Sequence, residues 1–206
     1  MLLTSFLIVF CMAVGALLGF SPVGAKVNSM LNSNKISDQI YTDMRASDDN
    51  LTLPEEMYPV DLIIKGKVLS LDQSYQRNAN VETKMGALTY DVTPATVEVE
   101  DVLYGTVFNK TITLLQHGTP SNSEAARHFV NAGDEVYLML VKTDDGKYWS
   151  YNFDDGVWKI NNGKVQSLTN KSVFKQFNHG DATSFANAIK NAAKAKVKRP
   201  NTIYNN

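Results

Sequence analysis

The chain has 206 residues, 44% of them hydrophobic and 20% charged, which is the composition of a globular protein rather than of a disordered tail or a membrane-embedded bundle. Its 20 Lys and Arg stand against 21 Asp and Glu, so no net field draws it to nucleic acid or to an anionic membrane; such attraction would need a local cluster. A single cysteine, Cys11, excludes a disulfide-stapled extracellular module.

Phe6 to Phe20 is an uncharged apolar run, followed by the helix breakers Ser21 and Pro22 and then by Val23-Gly24-Ala25. Residues 1–25 therefore read as a secretory signal peptide with cleavage after Ala25. No Lys or Arg precedes the run, a departure from the usual pattern. The competing reading is an uncleaved anchor, because Leu2 to Phe20 is just long enough to span a bilayer. Cys11 follows Phe10, where lipid attachment requires a small residue, so a lipoprotein is not expected. The mature chain then has no cysteine, and the expectation is a secreted or extracytoplasmic bacterial protein, with envelope association left open.

Residues 26–60 form a polar leader. Ile36, Ile40 and Met44 recur at i, i+4 and i+8, the spacing of a short amphipathic helix capped by Ser33 or Asn34, and a flexible spacer is the alternative. Pro54-Glu55-Glu56-Met57-Tyr58 reads as one helical turn with Pro in its first positions and acids at its positive pole.

Residues 61–170 carry the fold. Leu62, Ile64, Gly66 and Val68 alternate with Ile63, Lys65, Lys67 and Leu69 along a strand over residues 61–71, and Gly66 permits a close approach or a bend. Residues 72–91 read as a polar connection. Ala95, Val97 and Val99 alternate until Val102-Leu103-Tyr104 breaks the parity, which predicts a β-bulge near Asp101 that would curve the strand into a barrel. Strands follow at 111–116, 135–143 and 147–153, the second apolar on both faces and therefore central. Between 121 and 131 the sequence predicts a short helix closed by Ala132-Gly133. Asp144-Asp145-Gly146 and Asn161-Asn162-Gly163 supply the left-handed residues of tight hairpins. Residues 171–206 form a C-terminal helix and basic tail, with Phe185, Ile189 and Ala193 at helical spacing over Ala182–Val197 and Pro200 as the stop. The predicted core comprises Leu62, Ile64, Val68, Val97, Val99, Ile112, Leu114, Leu138, Leu140 and Ile160. The fold class is thus mainly β, a small barrel of about six strands with a short inserted helix and a C-terminal helix.

Residues 61–68, 97–105, 133–140 and 156–165, from Asp61-Leu62-Ile63-Ile64 to Asn161-Asn162-Gly163-Lys164-Val165, resemble the successive strands of a group of uncharacterised exported proteins of Gram-positive bacteria. The resemblance covers about half the chain and implies an OB-like barrel, similar in plan to netrin-like and protease-inhibitor domains. It implies no activity and no site residues.

His117, His128 and His179 do not stand at metal-ligand spacing, no Gly-x-Ser-x-Gly occurs, and the mature chain has no thiol nucleophile. No catalytic residue, metal or cofactor is expected. Asp144-Asp145-Gly146 and Asp154-Asp155-Gly156 lack the alternating ligands of a calcium loop and read as turns. Two features could bind. The aromatic set Tyr148, Trp149, Tyr151, Phe153 and Trp158 would place Trp149, Tyr151 and Phe153 on one strand face, where flat ligands stack, although core packing is the more common use of such residues. Lys190, Lys194, Lys196, Lys198 and Arg199 could attract an anionic cell-envelope polymer, or could simply be the solvated end of a helix whose dipole they suit. The function these features favour is a secreted or cell-surface, non-catalytic binding module. Its partner would be an anionic envelope polymer or another envelope protein, with no nucleic acid. The alternatives are a secreted hydrolase inhibitor and an enzyme with an unrecognised site.

Overall fold

The computed structural model of the protein describes residues 51–84 and 86–198. The signal segment, its cleavage point, the Ile36 helix and Arg199 lie outside the described residues. The first element is the turn α1 (Leu53–Glu56), whose start is fixed by a capping box. Thr52 caps it, its N–H donates to Glu55 Oε2 at 2.7 Å, and Pro54 occupies the first turn.

Strand β1 (Leu62–Leu71) lies antiparallel between β3 (Gly86–Tyr104) and β5 (Glu135–Lys142). The sheet continues from β3 to β4 (Thr111–His117), then to β6 (Tyr148–Ser150), and back to β5, so β1, β3, β4, β6 and β5 close into a barrel. The β4–β6 contact is parallel, with Leu114 opposite Tyr148 and Leu115 opposite Trp149; every other pairing is antiparallel. The short helix α2 (Ser123–Arg127) is inserted between β4 and β5, and the Asn122 side chain caps it by accepting from the N–H groups of Glu124 and Ala125. Five closed strands with that helix after the third make an OB-like barrel. β7 (Val157–Asn161) and β8 (Lys164–Gln166) extend the sheet from β5. Their tight turn uses Asn162 at φ 50° and Gly163 at φ 74°, as the sequence predicts.

The expected bulge is present. Lys65 faces Asp101 but Gly66 faces Val99, leaving Glu100 as the extra residue. Gly66 is required there, since a Cβ would fall 2.5 Å from the Glu98 carbonyl oxygen. Residues 72–91, read from sequence as a connection, instead contain β2 (Tyr75–Thr83), which forms a hairpin with the leading half of β3. Both arms are largely solvent-exposed, so they lack the apolar alternation that marks a strand against a core.

The apolar residues divide into two cores. Inside the barrel are Leu62, Ile64, Val68, Ala95, Val97, Ile112, Leu114, Val136, Leu138 and Leu140. Outside it, the opposite faces of the same strands contribute Ile63, Leu103, Tyr137 and Met139, which pack with Trp158, Phe174, Phe185 and Ile189 beneath the helices α3 (Ser172–Lys175) and α4 (Ala182–Ala195). This explains why β5 is apolar on both faces. Two predicted core residues are only half-buried: Val99, beside the bulge, packs at the margin of the inner core, and Ile160 packs against the outer one. Helix α4 starts at Asp181, whose carboxylate accepts from Ser184 N–H at 2.7 Å. Among the described residues no helix is long and apolar enough to cross a membrane.

Replacing a buried barrel residue such as Leu138 or Val97, both 0% exposed, by Ala should cost about 2–5 kcal/mol. Leu69→Ala, at a residue 48% exposed, should stay within about 0.5 kcal/mol. Urea titration of the three variants checks this, and equal losses at inner and exposed positions would refute the core assignment.

Candidate functional site

The parallel pairing of β4 with β6 brings the end of one strand beside the whole of the other. His117 closes β4 and Trp149 lies at the centre of β6, and their rings stack with centroids 4.2 Å apart at 14°. Phe153 and Tyr90 complete the cluster around His117, at 4.8 Å and 5.3 Å between ring centroids. The β2–β3 hairpin delivers Tyr90, together with Arg77 opposite it in register. The Arg77 guanidinium stands 5.8 Å from the Trp149 ring and has no ion-pair partner among the described residues. All five residues are half-buried, so the cluster reaches solvent.

The base of the hairpin is fixed by polar contacts. The buried Thr93 hydroxyl donates to the Gly118 carbonyl at 2.7 Å and shares a 2.8 Å hydrogen bond with Ser74. Gly118 N–H donates to the Asp91 carbonyl at 2.7 Å, so the loop after His117 is tied to the strand that carries Tyr90. Beside the cluster, Lys147 lies 5.9 Å from the Tyr75 ring and 3.0 Å from Asp145. Burial, assisted by the Arg77 charge, lowers the His117 pKa to about 4, leaving a neutral imidazole in the stack at neutral pH.

The predicted aromatic face of Trp149, Tyr151 and Phe153 does not exist as such. β6 ends at Ser150, and Asn152 and Phe153 take left-handed backbone angles, φ 43° and 55°, before a 3-10 turn at Phe153–Gly156. The strand parity is lost there. Tyr151 is buried in the outer core, while Phe153 meets His117. Trp158 is also core: it is 0% exposed, its Nε1–H donates to the Asp155 carbonyl at 2.9 Å, and its ring packs on Phe185. Of the aromatic candidates Trp149 and Phe153 are half-buried, whereas Tyr148, Tyr151 and Trp158 are buried. Sequence reasoning missed Arg77, Tyr90 and His117 as partners of Trp149.

The basic candidates also separate. Lys194 and Lys198 are exposed and Lys190 is half-buried. Lys196 is committed: its ammonium donates to the Val60 carbonyl and lies 4.7 Å from the Tyr104 ring, fastening the end of α4 to the barrel.

A cleft of about 190 Å³ is lined by Arg127, His128, Asp154, Lys159 and Ser167 among others. His128 Nδ1 is 2.8 Å from Asp154 Oδ1, an orientation that suits a proton acceptor. The Ser167 hydroxyl is directed elsewhere, donating to the Asp154 backbone carbonyl at 2.6 Å, and so is not presented to His128 as a nucleophile. No group of three or more His, Cys, Asp and Glu residues able to hold a metal occurs among the described residues.

No protein-family model matches the chain, and no curated protein matches it. Its chemistry therefore rests on these side chains alone. The His117–Trp149 cluster offers aromatic surface and a guanidinium without an ion-pair partner among the described residues.

His117 carries a pH signature. Its folded pKa lies below the ordinary 6.5, so as pH falls from about 6.5 to about 4 the unfolded chain takes up the proton first and stability is lost over that window. Above it, neither state is charged. In an NMR titration the His117 ring signals should move near pH 4, and His117→Phe should remove this part of the acid destabilisation. Titration near 6.5 would show that the ring is not enclosed as described.

Proposed function

We propose that this chain acts outside the cytoplasm as a non-catalytic binding module, and that an anionic polymer of the cell envelope docks on the aromatic cluster at the junction of the β2–β3 hairpin with β4 and β6. The observation that carries the reading is the His117–Trp149 stack with Arg77 above it. Flat, partly apolar ring faces bind on such aromatic surface, and an adjacent unpaired guanidinium selects for carboxylate or phosphate groups. A neutral His117 supports this use, because the stack adds no second desolvated charge. The position supports it too: the connection between the first two barrel strands, here grown into the β2–β3 hairpin, and the connection between the last two, here Thr143–Lys147, flank the surface on which OB-like barrels take extended polymers.

The exposed Lys194 and Lys198 would add long-range attraction with little specificity, screened over about 8 Å at physiological salt. The inhibitor alternative gains no support from the described residues. The enzyme alternative draws on the His128–Asp154 contact, beside which the Ser167 hydroxyl is turned to a backbone carbonyl.

The test is cosedimentation of the purified protein with isolated cell walls over a salt series. Base and ring stacking is worth about 1–3 kcal/mol, so Trp149→Ala should weaken binding at least about fivefold. Arg77→Ala should reduce both binding and its salt dependence. Lys194→Glu with Lys198→Glu should alter the salt dependence and leave the Trp149 contribution intact. Unchanged wall binding by a folded Trp149→Ala variant would remove the cluster as the site.

A further inference from the structure

Five residues from distant parts of the chain converge in the outer core, and four of them can ionise. Glu56 sits on α1, Tyr151 precedes the 3-10 turn and Asp155 lies within it, and Thr169 and Lys171 lead into α3. Lys171 Nζ is 2.7 Å from both Glu56 Oε1 and Glu56 Oε2, and 3.7 Å from Asp155 Oδ2. The Tyr151 hydroxyl donates to Glu56 Oε2. The Thr169 hydroxyl and the Asn152 amide donate to the Asp155 carboxylate. The Lys171 ammonium also lies 5.6 Å from the Tyr151 ring. The site is dry: Glu56 is 0%, Asp155 4% and Lys171 6% exposed.

An ion pair in such surroundings is a costly device, because the desolvation of two charges consumes most of what their attraction returns. An amine 2.7 Å from both oxygens of a buried carboxylate, with a hydroxyl donating to one of them and a second carboxyl group 3.7 Å from the amine, also brings together the components of a condensation. We propose that Lys171 and Glu56 are joined by an intramolecular amide bond that forms once the chain has folded. A proton passes from the ammonium to the carboxylate, leaving a neutral amine and acid. The Nζ lone pair then attacks Glu56 Cδ. Negative charge develops on Oε2, where the Tyr151 hydroxyl already donates. Asp155, whose Oδ2 stands 3.7 Å from Nζ, takes a proton from the attacking nitrogen and passes it to the departing Oε1, so it ends as it began, and Oε1 leaves as water. The ammonium and carboxylate become one amide and one water, with no oxidant, reductant or activated donor required.

Three features support the step. Holding the amine 2.7 Å from the carboxylate turns a bimolecular condensation into an intramolecular one. Burial, the largest influence on Asp155, raises its pKa despite the Thr169 and Asn152 hydrogen bonds and the charge of Lys171, which favours its holding a proton in transit from the amine. The product removes both buried charges and ties together residues 115 positions apart in a chain whose described part has no cysteine.

The experiment is a tryptic peptide map of the purified, denatured full chain. The expected result is a branched peptide whose mass is that of the Glu56-containing and Lys171-containing peptides less one water, with cleavage after Lys171 blocked. Lys171→Arg and Glu56→Ala should each restore linear peptides, and Asp155→Asn should slow or abolish the linkage in a chain that retains its near-ultraviolet circular dichroism. Linear peptides carrying unmodified Glu56 and Lys171 in the folded wild-type protein would overturn the proposal, whatever the variants do. A water loss confined to Asp145-Gly146 or Asp155-Gly156, as a cyclic imide, or a branch on Asp155 instead of Glu56, would overturn it as well.

Discussion

The structure depends on β1 having two antiparallel neighbours. Its pairing with β5 closes the barrel, and its pairing with β3 is possible only because Gly66 lets the Glu98 carbonyl approach where any side chain would collide. The extra residue at Glu100 then curves β3 so that one long strand serves the barrel with its second half and the projecting hairpin with its first. Once β1 is fixed, its alternate residues decide the two cores, with Leu62, Ile64 and Val68 directed inward and Ile63 outward.

The two cores have different tasks. The inner one is aliphatic except for Tyr148 and fills a small barrel mainly with β-branched and leucine side chains, which pack tightly there. The outer one is aromatic, with Trp158 against Phe174, Phe177 and Phe185. It gives the C-terminal helices a docking surface that the barrel alone would expose. The segment before α4 also covers the last strand: Val165 N–H donates to the Gly180 carbonyl at 3.0 Å and His179 N–H to the Val165 carbonyl at 2.7 Å. The β8 edge is thus closed to pairing with other chains.

The barrel was largely legible in the sequence because its signals are local. Alternation marked β1 and β3, the break at Val102 marked the bulge, and Asn161-Asn162-Gly163 marked a turn. The β2–β3 hairpin was not legible, because strands bathed on both faces carry no apolar period. The site was less legible still. Period-two counting across Trp149, Tyr151 and Phe153 fails once Asn152 turns left-handed, and no one-dimensional pattern brings His117 to Trp149, since a parallel contact between them depends on closure of the whole barrel. Glu56 was read as part of a helical turn and Lys171 as the start of the C-terminal segment for the same reason: what makes them unusual is burial, and only the outer core buries them.

The start and finish of the described chain lie side by side. Val197 N–H donates to the Pro54 carbonyl at 3.3 Å, and Lys196 reaches the carbonyl of Val60. A force applied across these two ends would therefore not pull along the barrel strands, where many hydrogen bonds would have to break together. It would act at the α1–α4 contact first, parting it bond by bond. Mechanically, the helix end is the soft element and the barrel the stiff one, so tension would be spent on lifting α4 before any part of the His117–Trp149 surface was disturbed.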